Sequence, residues 1–224
     1  DETVACYLSQ LNGIMYLHEV KAFRDGYSDT TLLEILKGCR KYKASTLLIE
    51  SNFGDGIVSE LFRKHCQQTK TTLNIEETRA NVRKEDRIID ALEPVLNQHR
   101  LVVDPKVITW DYNSNSDAAP ESRLQYMLFY QMSRMCREKG AVKHDDRLDA
   151  LAQGVKWYTD ALAISANREI ARRKADEWNA HLESWIDDPQ AEANYMVLGM
   201  NLQQRQEAKG KTSGKPLPTW ISSR

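Results

Sequence analysis

Asn12-Gly13 stands between two stretches of strand-like residues, Thr3–Gln10 and Ile14–Ala22. Asn-Gly readily takes the left-handed backbone of a two-residue turn, so the chain is expected to open with an antiparallel hairpin. Tyr27-Ser28-Asp29 then reads as a helix start, and Leu32, Leu33, Leu36 and Cys39 recur at helical spacing behind it. Ala44–Glu50 (ASTLLIE) is a short apolar run of the kind found in buried strands, and it ends on a carboxylate. Helices are expected over Ile57–Gln67 and Lys84–Gln98, and strands over Thr71–Glu76 and Arg100–Val103. Asn113–Pro120 reads as a polar loop, and Glu121–Arg137 as one helix rich in Leu, Met, Phe and Tyr. Strands alternating with helices imply an α/β domain, and the opening hairpin makes its sheet mixed.

KGAVKHDDRLDAL, Lys139–Leu151, carries the densest chemistry. It sets His144, Asp145, Asp146 and Asp149 at the start of a helix expected to run to Ala166. Residues three apart share a helix face, so Asp146 and Asp149 are expected to point the same way. Parallel carboxylates repel unless a cation sits between them, and carboxylate-bound divalent metals commonly serve hydrolysis or phosphoryl transfer. The plain alternative is an acidic first turn that complements the helix dipole. Glu50 ends an apolar strand, where open α/β sheets bind ligands, although it could equally be a solvated strand end. Gly54-Asp55-Gly56 reads as an ordinary strand-to-helix turn.

Bulk composition excludes several classes. Net charge is −1, from 31 basic and 32 acidic residues, so nucleic-acid contact must come from local patches. Arg79, Arg83, Lys84 and Arg87 form such a patch, with Arg147 a further candidate. A solvated face paired with Glu76, Glu77, Glu85 and Asp86 is the competing reading. Cys6, Cys39, Cys66 and Cys136 include no CxxC pair, which argues against a zinc site or a disulfide framework. No apolar run approaches the roughly 20 residues that a membrane span needs. Gly210-Lys211-Thr212 is not a Walker A motif, because Arg205 holds the position that requires the earlier glycine. Asn167–Trp185 reads as a charged helix, and Trp157, Trp178 and Trp185 are expected to pack rather than stack on bases. From Arg205 onward five basic residues face one acidic residue, the composition of a flexible tail. Three segments follow: 1–166, a helical extension over 167–202, and a basic tail over 203–224.

Glu50, the stretch TRANVRKEDRIIDALEPVLNQHRLVVD (Thr78–Asp104) and HDDRLDAL (His144–Leu151) together closely resemble the nuclease domain of large terminase subunits of tailed double-stranded DNA phages. The wording is most like the podovirus type, DNA maturase B. The resemblance implies an RNase H-like fold of the RuvC and integrase kind: a mixed sheet flanked by helices. It implies an endonuclease that cuts concatemeric DNA with two Mg²⁺ or Mn²⁺ ions roughly 4 Å apart. Glu50, Asp146 and Asp149 match the metal-binding carboxylates, with Asp145 and His144 able to replace or assist. The family's first metal-binding Asp would lie on a strand before Asp1, so weak or absent cleavage is expected of this chain as written. The implied partners are double-stranded DNA, the portal protein, a small terminase subunit and an upstream ATPase domain, and the implied location is the host cytoplasm at the procapsid. A junction resolvase, or a docking module for DNA or portal with a vestigial acidic cluster, are the competing readings.

Overall fold

A computed structural model describes residues 2–50, 56–79, 82–116 and 119–186. The hairpin forms as its turn requires, with Asn12 and Gly13 at φ 51° and 80° joining β1 (Thr3–Leu11) to β2 (Ile14–Phe23). The Ser28 hydroxyl accepts from the Thr31 amide and caps α1 (Asp29–Lys41). β3 (Thr46–Glu50), α2 (Ile57–Gln68), β4 (Asn74–Thr78), α3 (Lys84–Asn97) and β5 (Leu101–Val103) follow in order.

Two elements depart from the sequence expectation. Pro105–Asn113 forms a helix, α4, capped by the Asp104 carboxylate on the Lys106 amide. The single helix expected over Glu121–Arg137 is instead α5 (Pro120–Arg123), a 3-10 turn (Leu124–Tyr126) and α6 (Leu128–Arg134). Its interruption has a specific cause: the Asp111 carboxylate accepts from the Leu128 and Phe129 amides. A buried acceptor there satisfies amides that a continuous helix would have paired internally, and Met127 turns extended to reach it. α7 runs unbroken from Asp146 to Ile186.

β1, β2 and β5 make one mixed sheet in the order β1-β2-β5, and β3 and β4 make a parallel pair. The two sheets share one layer. Ala5 and Tyr7 face a core with Leu32, Ile35, Leu36 and Phe62 from α1 and α2, as do Leu47, Ile49 and Ile75. Val4, Cys6 and Leu8 face the opposite core, with Ile88, Leu92, Leu148, Leu151 and Val155 from α3 and α7. Alternation along β1 thus sends successive residues to opposite helix layers. Gly38 and Gly154 let the helices close on β1: a Cβ on Gly38 would strike Tyr7, and one on Gly154 would strike Leu8.

α7 also fixes the relative direction of the strands. Its start meets the start of β1, where the Glu2 amide donates to Asp146, and three turns on the Tyr158 hydroxyl reaches the Leu8 carbonyl. Along β3 the order reverses: Gln153 meets Glu50, and Trp157 meets Glu76, the partner of Leu48. β1 and β3 therefore run antiparallel. Among the described residues β1 pairs with β2 alone and β3 with β4 alone. Their facing edges, Thr3–Ser9 and Ala44–Glu50, border a cavity of about 340 Å³ that reaches Lys84, Asp146 and Asp149.

The chain divides into two units after Ala163. The described part of the second unit is the end of α7, with Ile164, Ile170 and Trp178 exposed. The expected tail, 203–224, and the Gly54-Asp55 part of the expected turn lie outside the described residues. Among the described residues no helix is long and apolar enough to cross a membrane.

A buried arginine ties the first unit together. Arg147 is 1% exposed; it pairs with Glu2 at 3.0 Å and with Asp111 at 3.0 Å, donates to Ser114 Oγ and lies over the Trp110 ring. Both carboxylates are themselves buried, so removing the guanidinium takes the charge partner from Asp111 and leaves Glu2 with the more distant, exposed Arg24 at 3.8 Å. Arg147→Met is expected to lower unfolding free energy by about 3–5 kcal/mol. Urea unfolding followed by circular dichroism measures this, and a loss below about 1 kcal/mol would contradict the assignment.

Candidate active site

The site grows from the ends of three elements. Apolar residues carry β3 into the layer and leave Glu50 at its carboxyl end, while α7 starts beside it with Asp146 and Asp149 one turn apart. α3 enters from the third side with Lys84 and Arg87, three residues apart and on one face. The structure brings Glu50, Asp145, Asp146 and Asp149 around these two cations.

Arg87 is the inner link. Its Nη1 donates to Glu50 Oε1 at 3.0 Å, and its Nη2 donates to Asp149 Oδ1 and Oδ2 at 2.8 and 2.9 Å. Lys84 Nζ lies 2.7 Å from Asp145 Oδ1, 3.5 Å from Asp149 Oδ2 and 3.8 Å from Asp146 Oδ1. Gln153, four residues beyond Asp149 and so on the same helix face, donates to Glu50 Oε2 at 2.8 Å. The Glu2 amide donates to Asp146 Oδ2 at 3.0 Å.

Charge and burial oppose each other here. Burial pushes the Asp149 carboxyl above the ordinary Asp range, Arg87 and Lys84 pull it back, and Glu50 and Asp145 add to the rise. Burial alone would lower the Lys84 ammonium, but its hydrogen bond with Asp145 and the charges of Asp149, Asp145 and Asp146 raise it. Four carboxylates share two cations, and every donor atom they offer is a hard oxygen, the chemistry that suits Mg²⁺ or Mn²⁺. Among the described residues no three ligating side chains converge on one ion position, because Lys84 and Arg87 lie between them.

Other expected site residues lie elsewhere. His144 stacks on Tyr126, with ring centroids 4.1 Å apart. Arg147 spends its charge inside the protein, as described above. Arg83 is exposed, donates to the Arg137 carbonyl and pairs with Asp86, while Arg79 follows β4. Lys84 and Arg87, which the sequence left between DNA contact and a solvated face, instead meet the acidic cluster. Sequence reasoning missed Gln153 and Glu2. The spacing 149 to 153 signalled Gln153, whereas nothing in the sequence signalled Glu2.

A carboxylate whose ionisation is opposed by burial is stabilising when protonated, so its contribution falls as pH rises from the ordinary Asp value through the raised one. Neutral Asp149→Asn removes that cost above the window. Its melting temperature at pH 7 is expected to exceed the parent's. The gain should shrink as pH falls toward 4. Scanning calorimetry at both pH values checks this, and a variant less stable than the parent at pH 7 would contradict it.

Residues 1–101 match the family described as Terminase Bacteriophage T7, Ribonuclease H-like domain. The terminase large subunit of Enterobacteria phage T3 is 42% identical over 200 residues, which cover 89% of this chain and 33% of that protein. The chain thus spans about a third of the length of this relative. The match to the family runs through β1, β2, β3 and Glu50, and the match to the relative extends over most of the chain. Residues 1–101 are thus an RNase H-like domain of the phage T7 terminase kind, in a chain similar to a terminase large subunit over most of its length.

Proposed function

We propose that this chain is the endonuclease part of a viral DNA-packaging motor and cuts concatemeric double-stranded DNA by divalent-metal-dependent phosphodiester hydrolysis. The observation that carries the reading is the gathering of Glu50, Asp145, Asp146 and Asp149, from two distant parts of the sequence, at one end of the sheet layer. The family match supports a nuclease, and the all-oxygen donor set supports Mg²⁺ or Mn²⁺.

Glu50, Asp146 and Asp149 would hold the metal, two ions in the full site, with Asp145 placed to assist. When bound, such ions supply a water activated for attack and charge that neutralises the leaving oxygen. Arg87 keeps Glu50 and Asp149 at a fixed separation, and Gln153 orients the second oxygen of Glu50. Glu2 holds Asp146 through its amide. Arg79 and Arg83, near the start of α3, are proposed to meet the DNA backbone, a contact that fixes position without reading sequence. Site choice would then rest with a small terminase subunit, and docking with the portal protein at the procapsid. An ATPase domain upstream in the same polypeptide would drive translocation.

The cavity between β1 and β3 supports one further part of this reading. Among the described residues the antiparallel strands β1 and β3 pair with no strand along their facing edges, which leaves a place for one that can pair antiparallel with β1 and parallel with β3. A strand preceding Asp1 and turning into β1 would end beside Glu50 and Asp146, and the family's first carboxylate is proposed to sit there.

Plasmid nicking with Mg²⁺ or Mn²⁺ tests the proposal. A chain lengthened at its N terminus by that strand is expected to cut. Glu50→Gln and Asp146→Asn in the lengthened chain are each expected to lower the rate by about 10²-fold or more. Variants that cut as fast as their parent would overturn the catalytic assignment. Preference for four-way junctions over linear duplex would favour a resolvase instead.

A further inference from the structure

Lys84 occupies an unusual place for a lysine. It is the first residue of α3, where the helix dipole presents partial positive charge, and the preceding Arg83 supplies no side-chain cap. A cation at that end of a helix is disfavoured, so the helix itself gives no reason for one. Its ammonium instead lies within 4 Å of three separate carboxylates, those of Asp145, Asp149 and Asp146.

Arg87, one turn on, is a different kind of cation. Its planar fork spans Glu50 and Asp149 with three hydrogen bonds, and its side chain is 12% exposed. Lys84 has a flexible four-carbon stem and is 37% exposed. A flexible point charge can leave without dismantling its neighbours, whereas a locked guanidinium cannot.

We infer that Lys84 is a stand-in cation: it holds the position among Asp145, Asp146 and Asp149 that a divalent ion takes, and the two are mutually exclusive. Like charges that close repel strongly in a partly buried site, so an entering ion must push the ammonium outward. Lys84 thereby sets how much metal is needed to load the site, and it keeps the carboxylates together until loading. This inference rests on the metal reading proposed above and concerns a residue that the reading does not use.

Mn²⁺ binding, measured by the loss of the free-ion electron paramagnetic resonance signal at fixed pH, provides the test. Lys84→Met is expected to bind Mn²⁺ about tenfold more tightly than the parent, because a competing charge is gone. Lys84→Arg, which keeps the charge, is expected to stay within about threefold of the parent. Mn²⁺ binding by Lys84→Met that equals or falls below the parent's would overturn the inference and leave the metal reading standing. Failure of the parent and both variants to bind Mn²⁺ would overturn both.

A second measurement needs no variant. In the parent chain, acetylation of Lys84 by a lysine-directed reagent, read by peptide mass spectrometry, is expected to speed up several-fold on saturation with Mn²⁺. Unchanged labelling at saturation would overturn the inference, and a merely structural lysine gives that result.

Discussion

Carboxylates gathered at the end of a sheet layer repel one another, and the architecture around Glu50, Asp145, Asp146 and Asp149 answers that repulsion. Charges this close, and partly removed from water, stay ionised only with cations among them. α3 supplies two, Lys84 and Arg87, from a helix turn that would otherwise favour acidic residues. The elements that bear the acids need support of their own. Arg147 provides it behind the site, where it fastens Glu2 at the start of β1 and Asp111 of α4 to the first turn of α7.

The arrangement separates two electrostatic tasks. Arg147 is buried and saturated by Glu2, Asp111 and Ser114, so its role lies in the fold. Lys84 and Arg87 stand at the edge of the cavity and serve the acids that a metal would use. Asp149 shows the cost of such a site. It is buried and close to other negative groups, and its ionised form is disfavoured where the proposed metal site would require it. Active sites commonly concentrate this kind of cost.

Much of this was legible in the sequence. Asn12-Gly13 specified the hairpin, the apolar run through Ile49 specified β3, and the spacing of Asp146 and Asp149 placed both on one helix face. Less was legible where the cause lay far away in the chain. The break before α6 depends on Asp111, 17 residues upstream of Leu128, and periodicity within the segment cannot register it. The role of Lys84 and Arg87 was equally hidden, because their nearest charged neighbours in sequence, Glu85 and Asp86, are not their principal partners in space. Arg147 sits inside the acidic motif itself, yet its burial follows from Glu2 and Asp111, which no local pattern connects to it.

The central claim is that this acidic cluster is a divalent-cation site. The most direct measurement is a crystal of the chain soaked in Mn²⁺ and recorded at a wavelength where manganese scatters anomalously. The account predicts an anomalous peak bounded by Glu50, Asp146 and Asp149, with the Lys84 ammonium moved outward. Manganese found only elsewhere on the surface, with the carboxylates still closed on Lys84, would contradict it.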